Sequence, residues 1–382
     1  MDGGIHTDAP RAEGRPHTAP IAPLGGIRVL TCGTTIGTAY ASRLLCDLGA
    51  DVVRIDRPNG EQLGRPDASD PMLRGRRRVE ANLKTAEGRE TLFRLIEHAD
   101  VLLEGYRPGV AERLGVGPDE LLAVNPRLVY ARMTGWGQQG PFAHLGGHDI
   151  NYMSLTGALY AIGHKDDCPP PPLNLVGDYG GGSMLLLTGV LAAVWNASRT
   201  GRGQVVDAAM VDGVISLSQK IWSLRAQGRW IDERHSNFID GHAPWYRTYR
   251  CADGGFMAVG AVERKFYANL LRGLGLAEED LPDQYDRSGW PVLTKRFEEV
   301  FATRTRDEWA AVFEQLDACT TPVLSWSEAP HHPQIVARAS IVQAHGAYQA
   351  APAPRFSATP PSLPEPLQDP VPLDEILATW SK

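Results

Sequence analysis

An α/β chain with a Rossmann-like parallel sheet and a second, smaller α+β unit is predicted by three observations. An apolar run at 27–30, a loop, a helical spacing of apolar residues at 38–48 and a β-branched run at 51–55 make one β–loop–α–β unit. Strand-like and helix-like stretches then alternate as far as residue 133, the pattern of parallel strands joined by helical crossovers. From about His242 the texture changes to β-type runs around Asp253-Gly254, a hairpin signal, followed by helical periods.

Residues 1–24 read as a disordered leader, because they hold too little apolar surface to offset their ordering entropy and no apolar segment like that of a secretory signal. Residues 25–225 are the expected large domain. Its first helix stops at Gly49, a residue suited to a helix C-terminus. A helix over 86–98, a strand over 100–104, a helical piece at 118–124 and a strand over 128–133 follow. Residues 183–197 are apolar on nearly all sides, so this helix belongs in a deep core or an interface, and its length is too short for a bilayer. A strand at 204–207 and one long helix over 211–227 complete the domain. Residues 226–241 read as a linker and 242–330 as the small α+β domain, with helices at 263–274, 295–303 and 306–316. Residues 331–382 read as a Pro-rich segment returning to the large domain in extended form, with a short terminal helix.

Composition narrows the function. The 382 residues include 38 Lys and Arg against 45 Asp and Glu, a net charge of −7, whereas a nucleic-acid partner calls for a basic face. Hydrophobic residues make up 43%, enough for a large core without disulfide or metal staples. Cys32, Cys46, Cys168, Cys251 and Cys319 show no CxxC spacing and read as reduced thiols of a cytoplasmic protein. No run of about 18 uninterrupted apolar residues marks a membrane span. The first β–α turn, Cys32 to Gly37, is not GxGxxG, and neither GxxxxGK[ST] nor HExxH occurs. Gly180-Gly181-Gly182 reads as a helix opening rather than a phosphate cradle, and His331-His332 as a solvated loop. No metal and no redox cofactor is expected.

Five stretches carry the chemistry. They are Gly146-Gly147-His148-Asp149-Ile150-Asn151-Tyr152, Asn174-Leu175-Val176-Gly177-Asp178, the run from Val259 to Tyr267, Glu104-Gly105-Tyr106-Arg107-Pro108-Gly109, and Arg132-Met133-Thr134-Gly135-Trp136-Gly137. Together, across Gly25 to Arg355, the chain resembles the alpha-methylacyl-CoA racemase branch of the family III CoA-transferases. The resemblance implies the family III CoA-transferase fold and an interlocked homodimer with its active site at the junction of large and small domains. It implies an acyl-CoA thioester as partner, CoA being part of the substrate and not a cofactor. The implied activity is that of an acyl-CoA racemase or epimerase, moving a proton at the alpha carbon of a 2-methyl or otherwise 2-substituted acyl-CoA through an enolate.

The residues suit that chemistry. A proton alpha to a thioester is too weak an acid for a neutral-pH base unless the enolate is stabilised. The reaction needs a base of near-neutral pKa, an acid on the opposite face and donors for the thioester oxygen. An imidazole titrates in the right range with little tuning, and a carboxyl can serve opposite it when burial raises its pKa. The start of a helix beside Asp178 favours negative charge and works against burial, and the sequence leaves that balance open. On the resemblance, His148 takes the proton from one epimer and Asp178 from the other. Glu263, arriving from the small domain of the partner subunit, supports the histidine, while Asn174 and Cys319 line the same cavity. CoA would be held by Arg57, the turn Ala81-Asn82-Leu83-Lys84, Gly105, Tyr106, Arg107, Arg113 and the stretch Gly146, Gly147, Asp149, Ile150, Asn151 and Tyr152, with arginine giving bidentate contacts to phosphate. Each residue also has a plainer reading: Asp178 as a cap of the helix starting near 181, Glu263 as a cap of its own helix, Cys319 as a small buried hydrophobe.

The chain departs from the family pattern in its first loop. Thr31 to Thr38 carries hydroxyls where relatives have a Pro- and Gly-rich turn, near the carrier and acyl groups, and Arg264-Lys265 replaces the usual Pro-Gln after Glu263. Two other functions are compatible. One is a CoA-transferase with Asp178 as nucleophile, forming a mixed anhydride; transferases of the family do not generally place a histidine at the position of His148. The other is a CoA-thioester binding protein whose altered first loop blocks turnover.

Overall fold

The computed structural model describes residues 22–33, 35–58 and 70–381, so the expected leader lies almost wholly outside the described residues. Six parallel strands form the main sheet: β1 (Arg28–Cys32), β2 (Asp51–Asp56), β3 (Arg76–Glu80), β4 (Val101–Glu104), β5 (Val129–Thr134) and β6 (Gln204–Ala209). Their order is β3-β2-β1-β4-β5-β6. The order reverses between β1 and β4, so the loops leaving those two strands part and open a crevice at the C-terminal edge.

Side chains alternate along the strands, and both faces are buried. Val29, Val52, Val101, Leu103 and Val129 enter one core, filled by α1 (Ile36–Asp47) and α6 (Leu185–Thr200). Leu30, Val53, Leu102 and Tyr130 enter the other, covered by α2 (Ala86–Ile96), α3 (Val110–Arg113) and α4 (Pro118–Val124). At about 1.5–3 kcal/mol for each fully buried Val or Leu, the two filled faces fix the strands and with them the crevice.

Strand β3 has no counterpart among the expected elements, because Arg76-Arg77-Arg78 lacks the apolar signature of a strand. Long-range pairing makes it one. Arg77 pairs with Asp51 and Arg78 with Asp56 (2.7 Å) on β2, while buried Arg76 reaches Ser42 Oγ (3.1 Å) in α1. Burial lowers the Arg76 guanidinium pKa to about 10. Charges along an outer strand also discourage pairing with a further chain.

The helix expected over 183–197 begins much earlier. Leu175–Met184 is π-helical and runs directly into α6, making one helix of 26 residues. By length and composition alone such a helix can span a membrane, contrary to the expectation of a short one. Leu186, Leu187, Val190, Ala193 and Ala197 press against the sheet, while Trp195 is 64% exposed. The single helix expected over 211–227 is two, α7 (Met210–Leu217) and α8 (Gln219–Ala226), divided at Ser218, whose hydroxyl bonds the Val214 carbonyl at 2.8 Å. Between β5 and the π stretch lies the short α5 (Asp149–Ser154).

A second sheet combines β7 (Tyr246–Arg250), β8 (Phe256–Gly260) and β9 (Thr320–Pro322), with Gly254 at φ 83° in the β7–β8 turn. Its core holds Trp245, Tyr249, Phe297, Phe301 and Trp309, under α9 (Arg264–Leu274), α10 (Trp290–Phe301) and α11 (Arg306–Glu314). The chain then forms α12 (Pro333–Arg338) and the hairpin of β10 (Ile341–Ala344) and β11 (Ala347–Ala350) before α13 (Leu373–Trp380). The final segment follows β3: the Val371 N–H bonds the Arg78 carbonyl (2.9 Å), and Trp380 Nε1 donates to Asp51 (2.7 Å). Ile376 and Trp380 close the second core.

Candidate active site

The residues assigned to the CoA carrier all follow the C-terminal ends of sheet strands: Arg57 after β2, 81–84 after β3, 105–113 after β4 and 146–152 beyond β5. Arg57, Lys84, Arg107 and Arg113 are exposed, and none of the four forms an ion pair with a described residue. Arg74, Arg77 and Arg78, by contrast, are all paired. Unpaired cations along a strand-end crevice are disposed for phosphate groups. Arg107 Nη2 also lies beside Gly146, 3.2 Å from where a Cβ would sit, so the β4 loop and the β5 connection meet. The Ala81 and Leu83 side chains are buried in the second core, which leaves a ligand only their backbone together with Asn82 and Lys84.

The first loop ends in a helix cap. Thr35 and Thr38 form a capping box that starts α1 at Ile36, with the Thr35 N–H donating to Thr38 Oγ1 at 2.8 Å. The Thr35 and Thr38 hydroxyls therefore hold the helix end. Gly33, at φ 57°, lies under the Tyr106 ring, where a Cβ would come within 2.6 Å.

The candidate catalytic groups meet where α5 packs on the π stretch. His148 is exposed at the N-cap of α5, its N–H donating to Asn151 Oδ1 at 3.0 Å. Asp149 turns inward and is 6% exposed; its Oδ2 accepts the backbone N–H of Asp178 at 2.7 Å. Gly177 makes room for this contact, since a Cβ there would sit 2.6 Å from Asp149 Oδ2. Asp149 Oδ1 is buried with no hydrogen-bond partner among the described residues, an arrangement that costs about 1–3 kcal/mol.

Asp178 is 8% exposed and lies within the helix, so it is not the cap of a helix starting near 181. Burial above all, and next the Asp149 carboxylate, raise its carboxyl pKa; the Asn174 side-chain hydrogen bond and His148 pull it the other way. The balance left open by the sequence thus falls on the raised side. π turns recur at functional sites because the wider backbone re-aims side chains. Ser183 Oγ donates between the carbonyls of Gly37 (2.8 Å) and Asp178 (2.9 Å), tying the stretch to α1. The glycine cluster serves packing: a Cβ on Gly213 of α7 would lie 1.9 Å from the Gly181 carbonyl oxygen.

Other assigned residues stand apart. Ile150 and Asn151 are exposed, whereas Tyr152 is buried with its hydroxyl donating to the Gly147 carbonyl. Glu263 is exposed at the N-cap of α9 and makes no side-chain cap bond. Its charge acts on Cys319, not on Asp178. Cys319 is exposed at φ 49°, not a buried hydrophobe, and lines a cavity of ≈ 630 Å³ with Gly260, Thr321, His164, His235 and Arg247. Sequence reasoning missed Ser183 and the inward turn of Asp149; the only signal of the latter was an acid directly after the candidate base. Among the described residues no group of three His, Cys, Asp or Glu side chains could hold a metal ion.

Comparison with known proteins adds an independent line. The family model described as CoA-transferase family III matches residues 24–373. The chain is 44% identical over 350 residues to an alpha-methylacyl-CoA racemase of Mus musculus, covering 91% of this chain and 90% of that protein. It is 44% identical over 319 residues to an alpha-methylacyl-CoA racemase of Homo sapiens, covering 84% and 82%. A solved structure of a CAIB/BAIF family protein from Brucella suis matches with TM-score 0.81 at 25% identity, covering 94% of this chain and 99% of that one.

Proposed function

This chain belongs to CoA-transferase family III, and on that premise we propose how it acts: it is an acyl-CoA racemase, an isomerase that works by two-base 1,1-proton transfer. In one direction the His148 imidazole takes the alpha proton of a 2-substituted acyl-CoA, leaving an enolate. The protonated Asp178 carboxyl then delivers a proton to the opposite face. In the other direction Asp178 is the base and the His148 imidazolium the acid. A carboxyl whose pKa is raised can keep its proton for such a delivery.

The observation that carries this reading is the joining of the two groups through one residue. Asp149 directly follows His148 and holds the backbone of Asp178 at 2.7 Å, and the carboxyl of Asp178 is shifted toward its acid form. Arg57, Lys84, Arg107 and Arg113 bind the phosphates of CoA, which is part of the substrate. No metal or redox cofactor takes part. Glu263 comes to His148 from the partner of an interlocked homodimer. Its exposure within one chain, and the exposure of Leu155, Leu191, Trp195, Leu217 and Trp222, support that assembly.

The test is incubation with each epimer of a small panel of 2-substituted acyl-CoA thioesters in heavy water, read by mass spectrometry. Deuterium entering the alpha position, with interconversion of the epimers, is expected. Absence of exchange with every member of the panel would sink the racemase reading. Hydroxylamine capture of an Asp178 anhydride during turnover would instead favour a transferase.

A further inference from the structure

Asp149 is one of the residues that the family resemblance assigns to the carrier, yet its side chain is buried against the backbone of Asp178. Its Oδ2 is occupied by the N–H of Asp178, and its Oδ1 meets no donor among the described residues. A backbone N–H needs only one acceptor, and a neutral side chain would supply it without leaving a second oxygen bare. The remaining difference between a carboxylate and such a side chain is its charge.

We propose that Asp149 is a positioning residue for Asp178: it fixes the Asp178 backbone and sets a second negative charge beside its carboxyl, so that Asp178 holds its proton until the enolate needs it. The proposal rests on the racemase reading for its purpose, but not for its test. A cation stands nearby: exposed Arg107 of the β4 loop acts on Tyr152, on which the Asp178 and Asp149 carboxylates also act. From α5 come Asp149, His148 and Tyr152; the loop before the π stretch contributes the Asn174 amide. The close contacts of the Gly-rich turn that holds Asp178 are uncharged: Gly37 of α1, Met133 of β5, and Met210 and Val214 of α7, and the ring of Tyr179 stacks on that of Tyr40. The direction of the Asp178 shift, with Asp149 second only to burial among its causes, agrees with this arrangement.

The two epimer directions share one overall equilibrium, so Asp149 does not favour one product. Its effect lies in the protonation of the free enzyme. In the direction in which Asp178 is the base its proton must have left, so its ionisation sets the low-pH limb of kcat/KM for that epimer.

Asp149→Asn keeps an acceptor for the Asp178 N–H and removes the charge. In the intact protein, with the Asp178 carboxyl followed by isotope-edited infrared titration, its pKa should fall relative to wild type. The low-pH limb of kcat/KM for the epimer whose proton Asp178 removes should move down with it. Asp149→Ser, a smaller acceptor, carries the same expectation should the first variant fold poorly. An unchanged Asp178 titration in a folded variant would overturn the proposal, whatever the activity does. A shifted titration in a protein that exchanges no alpha proton would leave the proposal standing and remove the racemase reading instead.

Discussion

At the β3 edge, Asp47 is 2% exposed and enclosed by guanidinium groups, Arg43 Nη1 at 2.8 Å and Arg74 Nε and Nη2 at 2.8 and 2.7 Å. Where α5 meets the π stretch, Asp178 is nearly as buried, but its neighbours are a second carboxylate, an imidazole and an amide. Burial of a charge is tolerated when it is paired and hydrogen-bonded. The first region follows that rule and holds the last strand of the sheet and the tail in place. The second breaks the rule at one carboxyl and lets protonation relieve the strain. Likewise, the arginines of β3 are neutralised within the fold, while the cations of the crevice are left free. Pairing, more than the count of charges, separates scaffold from site.

The contrast breaks most visibly under substitution of the two aspartates. Asp178→Asn should slow interconversion of the epimers by roughly a thousandfold or more, with a Tm at or slightly above wild type because a buried carboxyl beside another is removed. Asp47→Asn should do the opposite. It leaves two buried guanidinium groups short of a partner and should cost about 3–5 kcal/mol in denaturant unfolding, with normal turnover per folded molecule. Similar stability losses in both variants would erase the distinction.

A smaller effect is expected for the free cations. Arg107→Ala should raise KM for an acyl-CoA about tenfold, the worth of one charge-assisted hydrogen bond, with kcat little changed. The same variant assayed on an acyl-pantetheine thioester, which lacks the nucleotide phosphates, should match wild type. An equal penalty on both thioesters would mean that Arg107 acts on the acyl end.

The smallest effect concerns Glu104, 1% exposed at the end of β4, where it accepts from Arg132 Nε at 3.0 Å. Burial outweighs Arg132 and raises its carboxyl to about 6 from an ordinary 4.5. A raised pKa means that the folded state binds the proton more tightly. Its stabilising contribution is therefore full below pH 4.5 and lost as pH rises through about 6. That contribution is on the order of 1–2 kcal/mol. Glu104→Gln should flatten this part of the stability profile, and a slope unchanged in the variant would show that other groups produce it.

The order of β1, α1, β2, β4 and β5 was legible because apolar spacing changes period at each boundary. The β3 strand was not, since its signal is the pairing of Arg77 and Arg78 with Asp51 and Asp56, residues distant in sequence. The π stretch was hidden by glycines that read as a break and are in fact contact points for α7. Family motifs imply the roles of His148 and Asp178, and the structure adds that both stand where α5 packs on the π stretch. The bond that joins Asp149 to Asp178 was not legible, because it links positions 29 apart and nothing local marks either end. The shift of Asp178 likewise depends on burial, which spacing alone does not reveal.

The central claim is that His148 and Asp178 act from opposite faces of one carbon. It is tested most directly by deuterium exchange without inversion in His148→Ala and Asp178→Ala, each supplied with each pure epimer. The account predicts mirror images: each variant still exchanges, with retention, the epimer whose proton the surviving base removes, and is nearly silent toward the other. Equal loss toward both epimers in both variants would contradict it.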